Sequence, residues 1–89
     1  MPKVKVPPPY RGPTRGEAVI DVEGTTVREC IRAVGARYPG FEEQIFDPER
    51  NFHRFVKLFI NGDEISRDGA DAPVGAADEV EILAAIAGG

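Results

Sequence analysis

One long helix is all that the periodicity of this chain supports, and that fact constrains the fold more than any other. Thr26-Val27-Arg28-Glu29 sets a hydroxyl three residues ahead of a carboxylate, the pattern of a capping box at a helix start. Val27, Cys30, Ile31, Val34 and Tyr38 follow at helical spacing and form one apolar stripe, with Arg28, Glu29 and Arg32 on the other side. Gly35 weakens the last turns, and Pro39-Gly40 cannot continue them. A helix with one apolar stripe needs one apolar surface to cover, and the remaining segments must supply it.

They read as strands. Lys3-Val4-Lys5-Val6 alternates polar and apolar residues and is stopped by Pro7-Pro8-Pro9, where three residues in a row lack a backbone donor. Tyr10 to Gly16 reads as a loop. Glu17 to Val22 is a second short strand, forming an antiparallel hairpin with the first across that loop, and Glu23-Gly24 ends it. After the helix, Phe41 to Phe46 has the makings of a further helical turn, and Asp47 to Asn51 of a loop. Phe52 to Ile60 is the strongest strand signal, rich in aromatic and β-branched residues. Asn61-Gly62 is a turn signal, Glu64-Ile65-Ser66 a short return strand, and residues 67–77 an irregular stretch. Glu79 to Leu83 alternates again. The order is strand, strand, helix, strand, short strand, strand, an α+β pattern with one helix on one face of a sheet.

Size and composition narrow the function classes. A chain of 89 residues suits one domain, residues 1–89, with a modest core and no deep cleft of its own. The net charge of -4 and the scatter of the arginines argue against nucleic acid and for a partner with a basic docking face. One cysteine excludes an internal disulfide, and one cysteine with one histidine makes no recognisable zinc site. No segment has the length of a transmembrane helix, and the N-terminus lacks the apolar run of a signal peptide. The expectation is a cytoplasmic protein with no membrane partner.

The chain ends Asp78-Glu79-Val80-Glu81-Ile82-Leu83-Ala84-Ala85-Ile86-Ala87-Gly88-Gly89. With an acidic turn, an alternating strand, small residues, an aliphatic residue and a diglycine in this order, the chain resembles the β-grasp (ubiquitin-like) fold and, within it, the MoaD/ThiS family of sulfur carriers. Phe52-His53-Arg54-Phe55-Val56, running to Asn61-Gly62-Asp63, resembles the subgroup whose members supply sulfur to a cysteine synthase. Ala77 and the pair Ala84-Ala85 depart from the family, which often has glycine before the acidic turn and proline before the tail.

The resemblance implies a mixed four- to five-stranded sheet with one main helix packed on one face. It implies a flexible diglycine tail over residues 84–89 and a co-substrate role rather than an enzyme. An E1-like activating enzyme of the MoeB/ThiF type, using ATP and Mg, would adenylate the carboxylate of Gly89. A sulfur donor would then displace AMP to leave a thiocarboxylate, the nucleophile delivered to a sulfur-accepting synthase. A metalloprotease that trims or releases the tail is a further implied partner. The carrier itself binds no cofactor. Cysteine synthesis is the leading pathway, with molybdopterin, thiazole or thiamine, and other sulfur metabolites open.

Glycine suits such a tail. Side chains at Gly88 and Gly89 would thicken a thread that must enter a narrow channel, and would crowd the acyl carbon. Ala87 keeps the thread thin, and Ile86 gives a partner one apolar grip. Lys57 is expected to point to water, so Phe55 and Phe59 should share its face, with Leu83 outward and Val80 and Ile82 under the helix. Phe55, Phe59 and Leu83 would then form an exposed docking patch. Cys30 reads as a buried structural thiol, and His53 as a surface or packing residue. The pairs Glu42-Glu43 and Asp78-Glu79 read as solvated, and Asp21 with Glu23 as favouring the helix dipole. None of these reads as catalytic. Two other functions share the pattern: a ubiquitin-like modifier that forms isopeptide bonds, and a non-covalent β-grasp module with an inert tail.

Overall fold

The computed structural model describes residues 1–7, 12, 14–49 and 51–84. Five strands form one sheet in the order β2-β1-β5-β3-β4: β1 Lys3–Lys5, β2 Val19–Asp21, β3 Val56–Ile60, β4 Asp63–Ile65 and β5 Glu79–Ala84. The sheet is mixed. β1 and β5 run parallel, while β1–β2, β3–β4 and β3–β5 are antiparallel. The expected β-grasp architecture is present, and the last strand of the chain is its central strand.

Helix α1, Val27–Arg37, covers one face, followed by a short α2, Phe41–Ile45. Alternation along the strands decides what meets it. Val4, Ile20, Val56, Leu58, Val80 and Ile82 are buried together with Val27, Cys30, Ile31 and Val34 of α1 and with Phe41 and Ile45 of α2. Each such side chain contributes roughly 1.5–3 kcal/mol by leaving water.

The predicted helix ends are close to those observed. The Thr26 hydroxyl accepts from the Glu29 N–H at 3.1 Å. The Glu29 carboxylate returns to the Thr25 N–H and hydroxyl, both at 2.8 Å, one residue outside the usual capping box. At the other end the Tyr38 N–H donates to Val34, and Gly40, at φ 95°, starts α2. Gly35 has a reason beyond flexibility, since a Cβ there would run into the Glu42 side chain of α2. The predicted Asn61-Gly62 turn is present, with φ 51° and 89°, as a two-residue hairpin loop with positive φ at both positions requires.

Four expectations are corrected. The strand predicted from Phe52 begins only at Val56. The Asp47 carboxylate accepts from the Glu49 and Asn51 N–H groups, and the His53 N–H donates to Ile45. These bonds close a loop that turns the buried Phe52 ring onto Phe46, 4.8 Å away. The aromatic content there reflects burial, not strand. The second strand is three residues rather than six, although Val22 still donates to Pro2. The stretch 67–77 contains a 3-10 helix, Arg67–Asp71, and docks at the start of α1 through Val27 N–H to Ala72, Val74 N–H to Thr25, and Arg28 to Asp71 at 3.2 Å. Asp21 does not serve the helix dipole. It pairs with Lys3 at 2.7 Å, and that bond holds its carboxyl below its ordinary value.

Candidate functional site: the tail exit and the outer sheet face

Ile86, Ala87, Gly88 and Gly89 lie outside the described residues. What the structure describes is the strand that leads to them. β5 is paired with β1 over Glu79–Glu81 and with β3 from Val80 to Ala84, so the residues nearest the tail are held by β3. The last pair is Val56 with Ala84.

The start of β5 is pinned by Asn61 and Asp78. The Asn61 amide donates to Asp78 and accepts from the Glu79 N–H, both at 2.9 Å, while the second Asp78 oxygen accepts from Gly75 at 2.8 Å. The Gly75 N–H, and after it the Asn61 amide, hold the Asp78 carboxyl below its ordinary value. Asp78 is therefore a structural cap, not the solvated charge that the sequence suggested.

On the face away from α1, Lys57 stands opposite Leu83, and Phe59 lies between Glu81 and Glu64. Lys57 is exposed and pairs with Glu64 at 4.0 Å. Leu83 is 37% and Phe55 43% exposed, while Phe59 is half-buried. Phe59 and Leu83 are diagonal neighbours across β3 and β5, close enough for their side chains to interact. Phe55 stands just before β3, beside the end of β5. Of the three predicted docking residues, Phe55 and Leu83 are exposed near the end of β5, whereas Phe59 is half-buried farther along the strand, and charge interrupts the face between them. Farther along, Lys3 pairs with Asp21 and Lys5 with Glu79.

The sequence gives Arg54 no role beyond its place in the Phe52-to-Val56 likeness. Its guanidinium carbon lies 5.7 Å from the centre of the Phe55 ring, and the His53 ring stacks with Phe55 at 6.2 Å and 16°. His53 is a half-buried packing residue, as expected. The signal was available: His-Arg-Phe immediately precedes the strand that holds the tail strand.

Elsewhere the chemistry is spare. Cys30 is fully buried, and burial pushes its thiol up from the ordinary value. Among the described residues no group of three His, Cys, Asp or Glu is placed to hold a metal ion, and no helix is long and apolar enough to cross a membrane. Glu42, Glu43 and Asp47 line an open concavity on the helix side.

Comparison with known proteins supplies the context. No curated protein matches the sequence. The solved CysO chain of the Amycolatopsis orientalis BexX/CysO complex is 33% identical, with 100% of both chains covered and a TM-score of 0.88. Mycobacterium tuberculosis CysO is 28% identical over 97% of this chain and 100% of its own, with a TM-score of 0.86. Small archaeal modifier protein 1 from Methanosarcina acetivorans shares the fold, with 23% identity over 99% and 95% of the two chains and a TM-score of 0.85. The ThiS family model matches residues 5–89, both terminal glycines included. With that match and this β-grasp architecture, the chain belongs to the ThiS family of ubiquitin-like sulfur carriers.

Proposed function

We propose that this carrier works through the carboxylate of Gly89. An E1-like activating enzyme, using ATP and Mg, forms an acyl-adenylate on Gly89. A sulfur donor displaces AMP, and the resulting thiocarboxylate passes its sulfur to an acceptor enzyme. The observation that carries this reading is the family match that runs through Gly88 and Gly89, in a chain whose central strand ends at Ala84, four residues before Gly88. The protein is then a co-substrate, and its partners hold the active sites.

Ala87, Gly88 and Gly89 keep the thread narrow enough for another protein's channel, and Ile86 gives an apolar grip behind the reactive end. The exposed Phe55 and Leu83, with the half-buried Phe59, dock the partners, since apolar side chains near the end of β5 are what a partner taking the tail can cover. The likeness to two CysO proteins favours cysteine synthesis as the destination of the sulfur, and the solved BexX/CysO complex, in which a CysO is bound to a partner protein, supports an accepting enzyme as partner. A metalloprotease that trims or frees the tail completes the proposed set of partners. The proposed location is the cytoplasm.

Intact mass tests the reading. The protein is incubated with a cognate activating enzyme, ATP and a sulfur donor. The expected product is heavier by the difference between sulfur and oxygen, and a variant lacking Gly88-Gly89 stays unchanged. Slower-migrating conjugates without that mass shift would establish a modifier instead. A tail-deleted protein that keeps its whole cellular role would establish a binding module.

A further inference from the structure

β2 is an outer strand of the sheet, and one side of its backbone is open. The Val6 N–H donates to Ala18 at 2.7 Å and the Val22 N–H to Pro2 at 3.0 Å, with Val4 opposite Ile20 between them. Bonded and unbonded pairs alternate in an antiparallel ladder, so Ala18, Ile20 and Val22 turn their N–H and C=O groups toward β1. Val19 and Asp21 turn theirs away, along the free edge. Among the described residues nothing bonds to these outward backbone groups. The opposite edge offers less, since only Glu64 of β4 faces outward in this way. The side chains along the β2 edge carry mostly one charge. Glu17, Asp21 and Glu23 are exposed, with the 43% exposed Val19 among them. Asp21 is matched to Lys3, and Arg37 also acts on it, but the carboxylates of Glu17 and Glu23 have no partner among the described residues.

We propose that the β2 edge is a second interaction site, which adds an extended segment of a partner protein bearing cations and apolar residues at alternate positions. Main-chain bonds to Val19 and Asp21 supply the attachment, and the alternating side chains supply the choice of partner. Cations on the outer face of the added strand would meet Glu17 and Glu23, and opposite charges directly across a ladder stabilise it. The other edge of β2 already shows the pattern: β1 reads Lys3-Val4-Lys5, with Lys3 opposite Asp21. A second copy of this chain fits poorly, because pairing β2 with β2 about a two-fold axis, with Val19 opposite Asp21, sets Glu17 against Glu23. The edge also lies apart from the tail strand, with β1 between β2 and β5. A partner strand added there would leave both ladders of β5 and the tail free, so the carrier could be held while its end is handled.

Amide NMR titration with a capped hexapeptide of alternating lysine and valine tests this, and no readout depends on sulfur loading. The Val19 and Asp21 amides should shift and gain protection from hydrogen exchange, while Glu64 on the opposite edge stays unchanged. A peptide of alternating glutamate and valine should leave all of them unmoved, and added salt should weaken the lysine peptide. Val19→Pro removes an outward N–H that the β1 ladder does not use, and should abolish binding. Glu17→Lys combined with Glu23→Lys should weaken it roughly fivefold or more. Circular dichroism melts confirm that each variant is folded, and if Val19→Pro is not, the double charge variant decides. Unmoved Val19 and Asp21 amides at millimolar lysine peptide overturn the inference, and the edge acids then serve only to keep the strand unpaired. Equal binding of the two peptides, or an unweakened double variant, overturns the choice of a basic partner. Protection of Val19 and Asp21 without peptide, in a protein that sediments as a dimer, overturns it in favour of a second copy.

Discussion

Ile82 and Leu83 are neighbours on β5 with opposite surroundings, and truncating each separates stability from docking. Ile82 is fully buried, opposite Leu58 on β3. Ile82→Ala removes about three carbon groups at ~0.8 kcal/mol each, or ~2.4 kcal/mol of transfer free energy. The void adds a cavity contribution, because Val4, Val80 and Leu58 are strand-bound and cannot collapse into it, so the expected loss is ~3–4 kcal/mol. A domain of this length holds roughly 4–13 kcal/mol in total. Urea unfolding followed by circular dichroism should therefore show a midpoint lower by about 3 M, taking a slope near 1 kcal/mol per molar. Leu83 is 37% exposed and lies against Lys57, so Leu83→Ala should cost less than about 1 kcal/mol. It should instead weaken partner binding if the outer face docks. Equal losses for the two variants would refute the face assignment, since a one-residue slip of register exchanges their roles.

Three further outcomes follow from local geometry. Asp21, Glu29 and Asp78 all have carboxyls lowered in the fold, through Lys3, Thr25 and Gly75 respectively, from ordinary values of 3.8, 4.5 and 3.8. A depressed folded value means stability that is complete above the unfolded value and lost as pH falls through the folded one, so melting temperature should drop below about pH 5. Asp78→Asn should flatten part of that limb, and a wild-type melting temperature constant down to about pH 2 would contradict it. Cys30 should resist a thiol reagent in the native protein and react fully in denaturant; rapid native labelling would show the site to be open. Gly24→Ala should cost about 1–3 kcal/mol, because its Cβ would sit 2.9 Å from the Cys30 backbone nitrogen, which cannot swing aside. Gly12→Ala, with nothing within 4 Å, is the matched control, and equal melting temperatures for the two would refute the clash.

The helix was legible because its signals are local. The Thr26 hydroxyl, the Val27-to-Val34 stripe and Pro39-Gly40 each act within a turn of where they stand, and α1 runs from Val27 to Arg37. The facing of β3 and β5 was legible for the same reason, since alternation places Leu58 and Ile82 inward and Lys57 and Leu83 outward. Phe52 was misread because a large aromatic signals burial without saying by what. Its partner is Phe46, brought round by a loop that Asp47 closes. Asp78 was misread because one partner, Asn61, meets it only after β3 and β5 have paired, and the other, Gly75, holds it in a local turn within a stretch read as irregular. Arg54 was read only as part of the Phe52-to-Val56 motif, since a cation beside an aromatic ring is a three-dimensional fact. At the tail, what sequence offered was the motif and its setting; the structure adds the strand that leads to it.

That strand is where fold and function join. A tail threaded into another protein pulls on whatever anchors it, and an edge strand would be peeled away. β5 is instead central, parallel to β1 and antiparallel to β3, with its start tied to Asn61 through Asp78 and the Glu79 N–H. Val80 and Ile82 lock the same strand into the core beneath α1. Displacing it would break both ladders and open the whole apolar interior, so the domain stays folded while its end is handled. Central placement also puts the exit beside β3, and hence beside Phe55 and Arg54, which precede Val56 in the chain. A domain too small to enclose a reaction can still fix where its reactive end emerges and what surface surrounds it, and a partner needs both to recognise it.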